Sequence, residues 1–463
     1  MDAVERLLSI AVDLAWGPPL VILLLGGGLY LTTLSRLLPL LGAGHALRVL
    51  RGQYDRDDDP GQLSHFQALS TALASTVGLG NIGGVAIAIT QGGPGAVFWM
   101  WLAAFLGMAT KFFTCTLAVL HRGQDDRGEV QGGPMYTIEV GLGPRWRPLA
   151  ILFSACGLIG CLAIFQSNQV AGILEATYAV PPAATGLACT VLVALVMLGG
   201  VERVGQVAGR LVPAMCLVYF CGAGLIVVTQ LEALPGILGQ IFHDAFTGTA
   251  AAGGAAGIAW REVVLVGVKR AVFSNEAGLG TAPMAHGAAR TQEPVREGLV
   301  AMIGPFIDTI VVCSLTAFVI LSTGLWRDAG GVEGVTLTVR AFESVLGGPG
   351  RLLLVAAALL FGFSTMIGYS YYGRKCFVYL FGSKHAATYS AFYLGTLYLG
   401  AVWSVSMVID LIDTAYALMA IPNMIATLVL AKKVMPAARR YFRDHGLPGG
   451  GGAGAVDPLE TRP

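Results

Sequence analysis

The sequence predicts an all-α polytopic membrane protein with about 11 transmembrane helices, and three observations predict it. Apolar residues make up 55% of the chain and charged residues 12%, about half the charged share of a soluble domain. The apolar residues gather into runs near the ~20 residues with which an α-helix crosses a bilayer. Lys and Arg cluster in alternate connections between those runs, the bias that orients helices in a membrane.

Taken in order, the runs are roughly residues 16–35, 66–90, 94–120, 149–178, 183–199, 211–232, 260–283, 298–323, 351–372, 386–407 and 411–434, called segments 1 to 11 below. Segment 1 follows Asp2, Glu5 and Asp13 instead of a basic stretch, so no cleavable signal peptide is expected. Gly92-Gly93-Pro94-Gly95 and Val180-Pro181-Pro182 predict tight hairpins after segments 2 and 4, and neither carries Lys or Arg. The connections after segments 1, 3, 5, 7 and 9 do carry them, among them Arg48, Arg122, Arg127, Arg203, Arg290, Arg374 and Lys375, and so does the C-terminus. Opposite lie Arg6, Arg327 and Arg340 with little else. The expected topology therefore has the N-terminus outside and the C-terminus in the cytoplasm, in the cell (inner) membrane, with an odd number of crossings. The net charge of +1 gives no reason to expect a nucleic-acid partner. The eight cysteines sit mostly inside apolar runs without a CxxC pair and are expected to be core residues. Leu234 to Gly257 is too polar and glycine-rich to span and is expected to be a partly helical outer loop.

Two runs are interrupted. Segment 2 carries Gly78, Gly80, Gly83 and Gly84 in its middle, and each glycine weakens a helix by roughly 1 kcal/mol relative to alanine. Backbone freed there survives at membrane depth only if protein buries it or it lines a wet cavity. Freed N–H and C=O groups suit a carboxylate and a cation, while a closely packed flexible helix is the plainer explanation. Segment 7 repeats the pattern five segments later as VFSNEAGLGTAP, Val272 to Pro283. Paired interruptions point to an inverted repeat with its site at the interface. The expected division is an extra helix and cytoplasmic loop over 1–63, a first repeat over 64–232 and an outer loop over 233–259. A second repeat follows over 260–435, then a disordered tail over 436–463.

Glu276 is the costliest residue in these breaks, at about 2.5–3.5 kcal/mol for an acid at the bilayer centre. It serves either in binding or coupling or as a structural brace, with Asn275 beside it. Asn81 and Asn275 offer amide oxygens to a cation or caps to free N–H groups. Ser364 and Thr365 in segment 9 are hard oxygen ligands or hydroxyls bonded to their own helix. Gln166, Asn168 and Gln169 read as interhelical glue. Lys111 is expected to snorkel, and Asp308, Asp410 and Asp413 to sit near segment ends where solvation is cheap. No hydrolase triad, HExxH or phosphate loop occurs in a plausible context, so neither an enzyme nor a cofactor is expected.

The stretches FQALSTALASTVGLGNIGGVAIAITQGGPGAVFWMWLAAFLGMATKF, QGGPMYTIEVGLG, FSNEAGLGTAP, PFIDTIVVCSLTAFVI, FSTMIGYSYYGRK and ALMAIPN together resemble the alanine or glycine:cation symporter family, from about Phe66 to Ala431. The resemblance implies a leucine-transporter-type fold with five-plus-five inverted repeats, and import of a small neutral amino acid with sodium as co-transported ion. It implies that backbone at Val77, Gly78 and Gly80, with Asn81, holds substrate and ion. Phe273, Ser274 and Gly278 would supply the opposite wall, and Gln166, Thr365 and Tyr369 would close the pocket. It also implies a sodium site from carbonyls of Ala74, Val77 and Phe361 with hydroxyls of Ser364 and Thr365. The chain departs from the family pattern at Leu79, where a hydroxyl residue is frequent, at Tyr369, where Trp is, and at Arg374, where an acid is. Two rivals remain beside sodium symport: a proton-coupled carrier titrating Glu276, and a channel or amino-acid-gated receptor.

Overall fold

Residues 2–56, 58–247, 256–327 and 334–448 are described by the structure, a computed structural model. Helix occupies every one of the eleven apolar segments. Among the described residues seven helices are long and apolar enough to cross a membrane, and eight if the bent pair His65–Thr76 and Gly80–Gly92 counts as one crossing. Segment 5, Pro182–Met197, is apolar but shorter. Residues such as Leu192, Leu217, Val228 and Phe392 leave large apolar side chains on the outside, as a chain solvated by lipid requires.

Segment 2 starts from a capping box in which Ser64 and Gln67 satisfy each other's backbone N–H groups. Its two halves bend by 50° at the glycine break. Segment 3, Gly95–Leu120, packs along segment 7 and the start of segment 8. Segment 4 is divided into Arg147–Gly160 and Ile164–Tyr178. Segments 4, 5 and 10 pack against one another, and segment 4 also meets segments 9 and 11. Segment 7 runs as helix over Ala256–Asn275, leaves it for six residues, and resumes as the short helix Ala282–His286. Segment 8, Pro294–Thr323, holds a wide π turn over Phe306–Cys313.

Outside the helices the described residues include one small antiparallel hairpin, Gly123–Gln124 with Val130–Gln131, that the sequence does not announce. The connection after segment 6 contains the expected helix, Leu234–Thr247, docked through the Trp99 indole N–H on the carbonyl of Ala245 at 3.1 Å. A second helix, Val335–Leu346, covers the first break, its Thr338 hydroxyl donating to the carbonyl of Ile82 at 3.1 Å. Where a tail is expected from 436, segment 11 continues as one helix over Val405–Asp444. Tyr441 and Phe442 are buried there, and Tyr441 hydrogen-bonds His45 at 2.6 Å, so packing holds the helix beyond its apolar run. The glycine-rich stretch 449–463 lies outside the described residues. The N-terminus adds a helix, Asp2–Ala15, ahead of Pro18–Ser35.

Candidate functional site

In segment 2 the α-helix stops at Thr76, and Val77 is extended with ψ 91°. The N–H of Gly78 donates to the Asn81 side-chain oxygen at 2.8 Å, and the N–H of Asn81 returns to the carbonyl of Gly78 at 3.1 Å. Asn81 thus caps the break from within, and the chain resumes as a π turn over Gly80–Gly84. The Asn81 amide N–H group, fully buried, donates to the Asp308 carbonyl at 3.0 Å and to its carboxylate at 2.7 Å.

Segment 7 breaks differently. Glu276, Gly278 and Gly280 all have positive φ, at 56°, 92° and 95°. Glycine accepts that conformation freely, whereas Glu276 needs fixed partners to hold it. Its carboxylate accepts the Tyr369 hydroxyl at 2.5 Å and the Thr281 hydroxyl, and Tyr369 also meets the hydroxyl of Tyr416. Asn275 takes the N–H of Ala277 at 2.9 Å and donates to Thr309 at 3.0 Å. The carbonyl of Gly278 accepts from Asn423 at 2.8 Å.

The two breaks meet at Asp308. The Ser274 hydroxyl donates to this carboxylate at 2.8 Å, Thr309 donates at 2.8 Å, and Asn81 arrives from the other side. Gly80 lies against Phe273 and Ser274. Phe165, next to Gln166, meets the ring of Phe273 edge-on at 5.0 Å. Gln166 is buried, and its side-chain oxygen has no hydrogen-bond partner among the described residues.

Segment 9 closes the cluster. Ser364 places its hydroxyl 3.1 Å from the carbonyl of Ala74 and 3.0 Å from that of Phe361, and Thr365 donates to Phe361 at 3.1 Å. Thr365 also abuts Gly78. Both readings of these hydroxyls therefore share one geometry: they bond their own helix, and Ser364 reaches across to segment 2. Gly278 stands apart from this cluster, facing Leu24 and Met424, and the Glu276 carboxylate is turned to Tyr369 and Thr281.

Three expectations need correction. Asp308 and Asp413 do not sit where solvation is cheap: both are fully buried, Asp308 among the donors above and Asp413 at 2.6 Å from Arg270 and 2.7 Å from Lys269. Lys111 does not snorkel, since segment 3 is wrapped by protein and leaves it 2% exposed beside Gly304. Asp308 is the residue that sequence reasoning missed. Its signal was an acid inside the apolar stretch PFIDTIVVC, the same signal that singled out Glu276.

The sodium:alanine symporter family's sequence profile matches residues 1–447. An uncharacterized transporter of Haemophilus influenzae is 41% identical over 446 residues, covering 95% of this chain and 96% of that protein. The sodium/alanine symporter AgcS of Methanococcus maripaludis is 39% identical over 449 residues, covering 95% and 98%. A probable sodium/glutamine symporter, GlnT of Bacillus subtilis, is 37% identical over 444 residues, covering 95% and 91%. Among solved structures, a manganese transporter of Eremococcus coleocola superimposes with a TM-score of 0.52 at 12% identity, over 83% of this chain and 82% of that one, a likeness of fold alone. With a full-length family match and relatives near 40% identity, the chain belongs to the sodium:alanine symporter family, and it is a multi-pass membrane transporter and not an enzyme.

Proposed function

We propose that this protein imports a small neutral amino acid, alanine or glycine, together with sodium by alternating access. Eleven helices cross the cell membrane, segments 2–6 and 7–11 form inverted repeats of leucine-transporter type, and the C-terminus is cytoplasmic. The observation that carries the reading is the convergence of uncharged hard oxygens from two segments: the Ser364 hydroxyl lies 3.1 Å from the Ala74 carbonyl and 3.0 Å from the Phe361 carbonyl, with the Thr365 hydroxyl 3.1 Å from the Phe361 carbonyl. Such a set suits a small monovalent cation, which takes carbonyl and hydroxyl oxygens readily. Val77, extended at the same break, adds its carbonyl.

The amino acid's carboxylate sits at the backbone of Gly78 and Gly80, displacing part of the Asn81 cap, and Gln166 accepts from its ammonium group. Ser274 and Phe273 form the opposite wall, and Phe273 and Tyr369 leave room for a small side chain only. Relatives are named for alanine and for glutamine, and the bulk of these two rings supports the smaller solute. Sodium and solute favour the same conformer, which is all that coupling requires. Glu276 and Asn275 brace the second break.

Uptake of radiolabelled alanine, glycine and serine into proteoliposomes, with and without a sodium gradient, tests this directly. Uptake indifferent to sodium overturns it. Full burial of Glu276 against Tyr369 favours a second reading, coupling to protons, which uptake driven by a pH gradient without sodium would select.

A further inference from the structure

Below the central cluster the molecule holds a cavity of about 350 Å³, at the end that carries the basic connections. It lies between the 123–131 hairpin, the first turn of the helix Gly200–Thr229 that carries segment 6, and one face of segment 9. Tyr371, Arg374, Lys375 and Val378 line it from segment 9, at the spacing that puts side chains on one helix face. Thr365 lies ten residues back along that helix, about 15 Å at 1.5 Å per residue. The cavity is thus separate from the candidate ion cluster, and its volume falls within the range of small-molecule sites.

Its chemistry has two poles. Lys375 is 8% exposed, donates to the Gln131 side-chain oxygen and lies 5.2 Å from the centre of the Tyr371 ring. Among the described residues no carboxylate lies within ion-pair distance of its ammonium, which has three N–H donors to place. A buried cation in that condition gains most from an incoming anion. The acids of the hairpin are already engaged. Asp125 takes the backbone N–H groups of Arg127 and Glu129, at 2.9 and 3.0 Å, and the Gln131 amide at 2.9 Å, while Glu129 takes Gln62 at 2.7 Å. Glu202, exposed among the lining residues, is left to receive an amine.

We propose that this vestibule is a second amino-acid site, in which Lys375 takes the carboxylate and Glu202 the ammonium of the zwitterion on its way to the cytoplasm. The proposal rests on the transport reading above. The lining carries three carboxylates, Asp125, Glu129 and Glu202, and three cations, Arg127, Arg374 and Lys375, so a ligand with both charges matches it better than a phosphate or acetate.

The test is counterflow in oriented proteoliposomes, with alanine half-saturation measured from each face for the native protein, Lys375→Gln and Lys375→Arg. The glutamine variant should raise the cytoplasmic half-saturation relative to the outer one roughly tenfold, the loss expected for a charge-assisted hydrogen bond, and arginine should restore it. Internal acetate should fail to compete. An equal shift at both faces, no shift, or competition by acetate overturns the site. Should Lys375→Gln fail to reach the membrane, Glu202→Gln at the exposed wall must raise the cytoplasmic value alone, and an unchanged value is equally fatal. Native protein without sodium-driven uptake would instead refute the transport reading, whatever the variants do.

Discussion

Segment 2 is broken by glycines and mended by one asparagine three residues away, whereas segment 7 leaves the helix for six residues and is held by side chains of segments 8, 9 and 11. The first break is local. Its cap can be exchanged for a ligand group at the cost of a hydrogen bond or two, each worth about 0.5–1.5 kcal/mol net. The second break is tied to its surroundings through Glu276, Asn275 and the Gly278 carbonyl, so it moves with them or not at all. Under the transport reading proposed above, one break responds and the other transmits, and Asp308 is the group that both of them touch.

Removing that link should have the largest effect. Asp308→Ala leaves the Asn81 amide only the backbone carbonyl of residue 308 and takes the carboxylate acceptor from the buried Ser274 and Thr309 hydroxyls, at about 1–3 kcal/mol for each orphaned group, so initial uptake rates at matched membrane levels should fall at least ~100-fold. A variant within threefold of the native rate would mean that the breaks work independently.

Next comes the brace. Glu276→Ala removes the acceptor of Tyr369 and Thr281 at a residue with φ 56° and should lower the melting temperature in detergent as well as the rate. Glu276→Gln keeps the shape and one acceptor, and should retain more than about a tenth of native uptake if the residue only braces. Loss of uptake in a glutamine variant that melts normally would move Glu276 from brace to coupling group.

A smaller and more selective effect is expected on segment 9. Thr365→Ala should raise the sodium concentration for half-maximal uptake by roughly tenfold, as loss of one cation ligand worth about 1–2 kcal/mol requires, while uptake at saturating sodium recovers. Unaltered sodium dependence would take Thr365 out of the ion site and leave it as a hydroxyl bonded to Phe361.

The fold was legible because hydrocarbon imposes it: each apolar run had to be helix, and each of the eleven is. The limits of the helices were less so. Segment 9 is 34 residues long, Gly348–Phe381, because protein and not lipid surrounds its basic end at Lys375. Apolarity marks what faces lipid and says nothing of a helix that continues inside the molecule. The breaks were legible through their glycines, and Glu276 through its charge. Asp308 and Asp413 were misplaced because the desolvation of an acid is set by what lies across from it, and Asn81, Ser274, Lys269 and Arg270 come from segments distant in the chain. Such pairings leave no periodicity to read.

The smallest expected effect concerns Leu79, where the resemblance to the family leads one to expect a hydroxyl residue. Leu79 is fully buried, and its side chain packs toward Gly362 of segment 9, next to Val170 of segment 4. If the first break reads its solute through backbone groups at Gly78 and Gly80, this side chain is packing and not recognition. Leu79→Thr then costs about 1–2 kcal/mol of stability through lost apolar contact and a hydroxyl that needs a partner, and alanine half-saturation shifts less than about twofold. Competition of serine and glutamine against labelled alanine should keep its native order. A reordering in this variant would show that the turn recognises solutes through its side chain, and the contrast between a responsive backbone break and a braced one would have to be drawn again around residue 79.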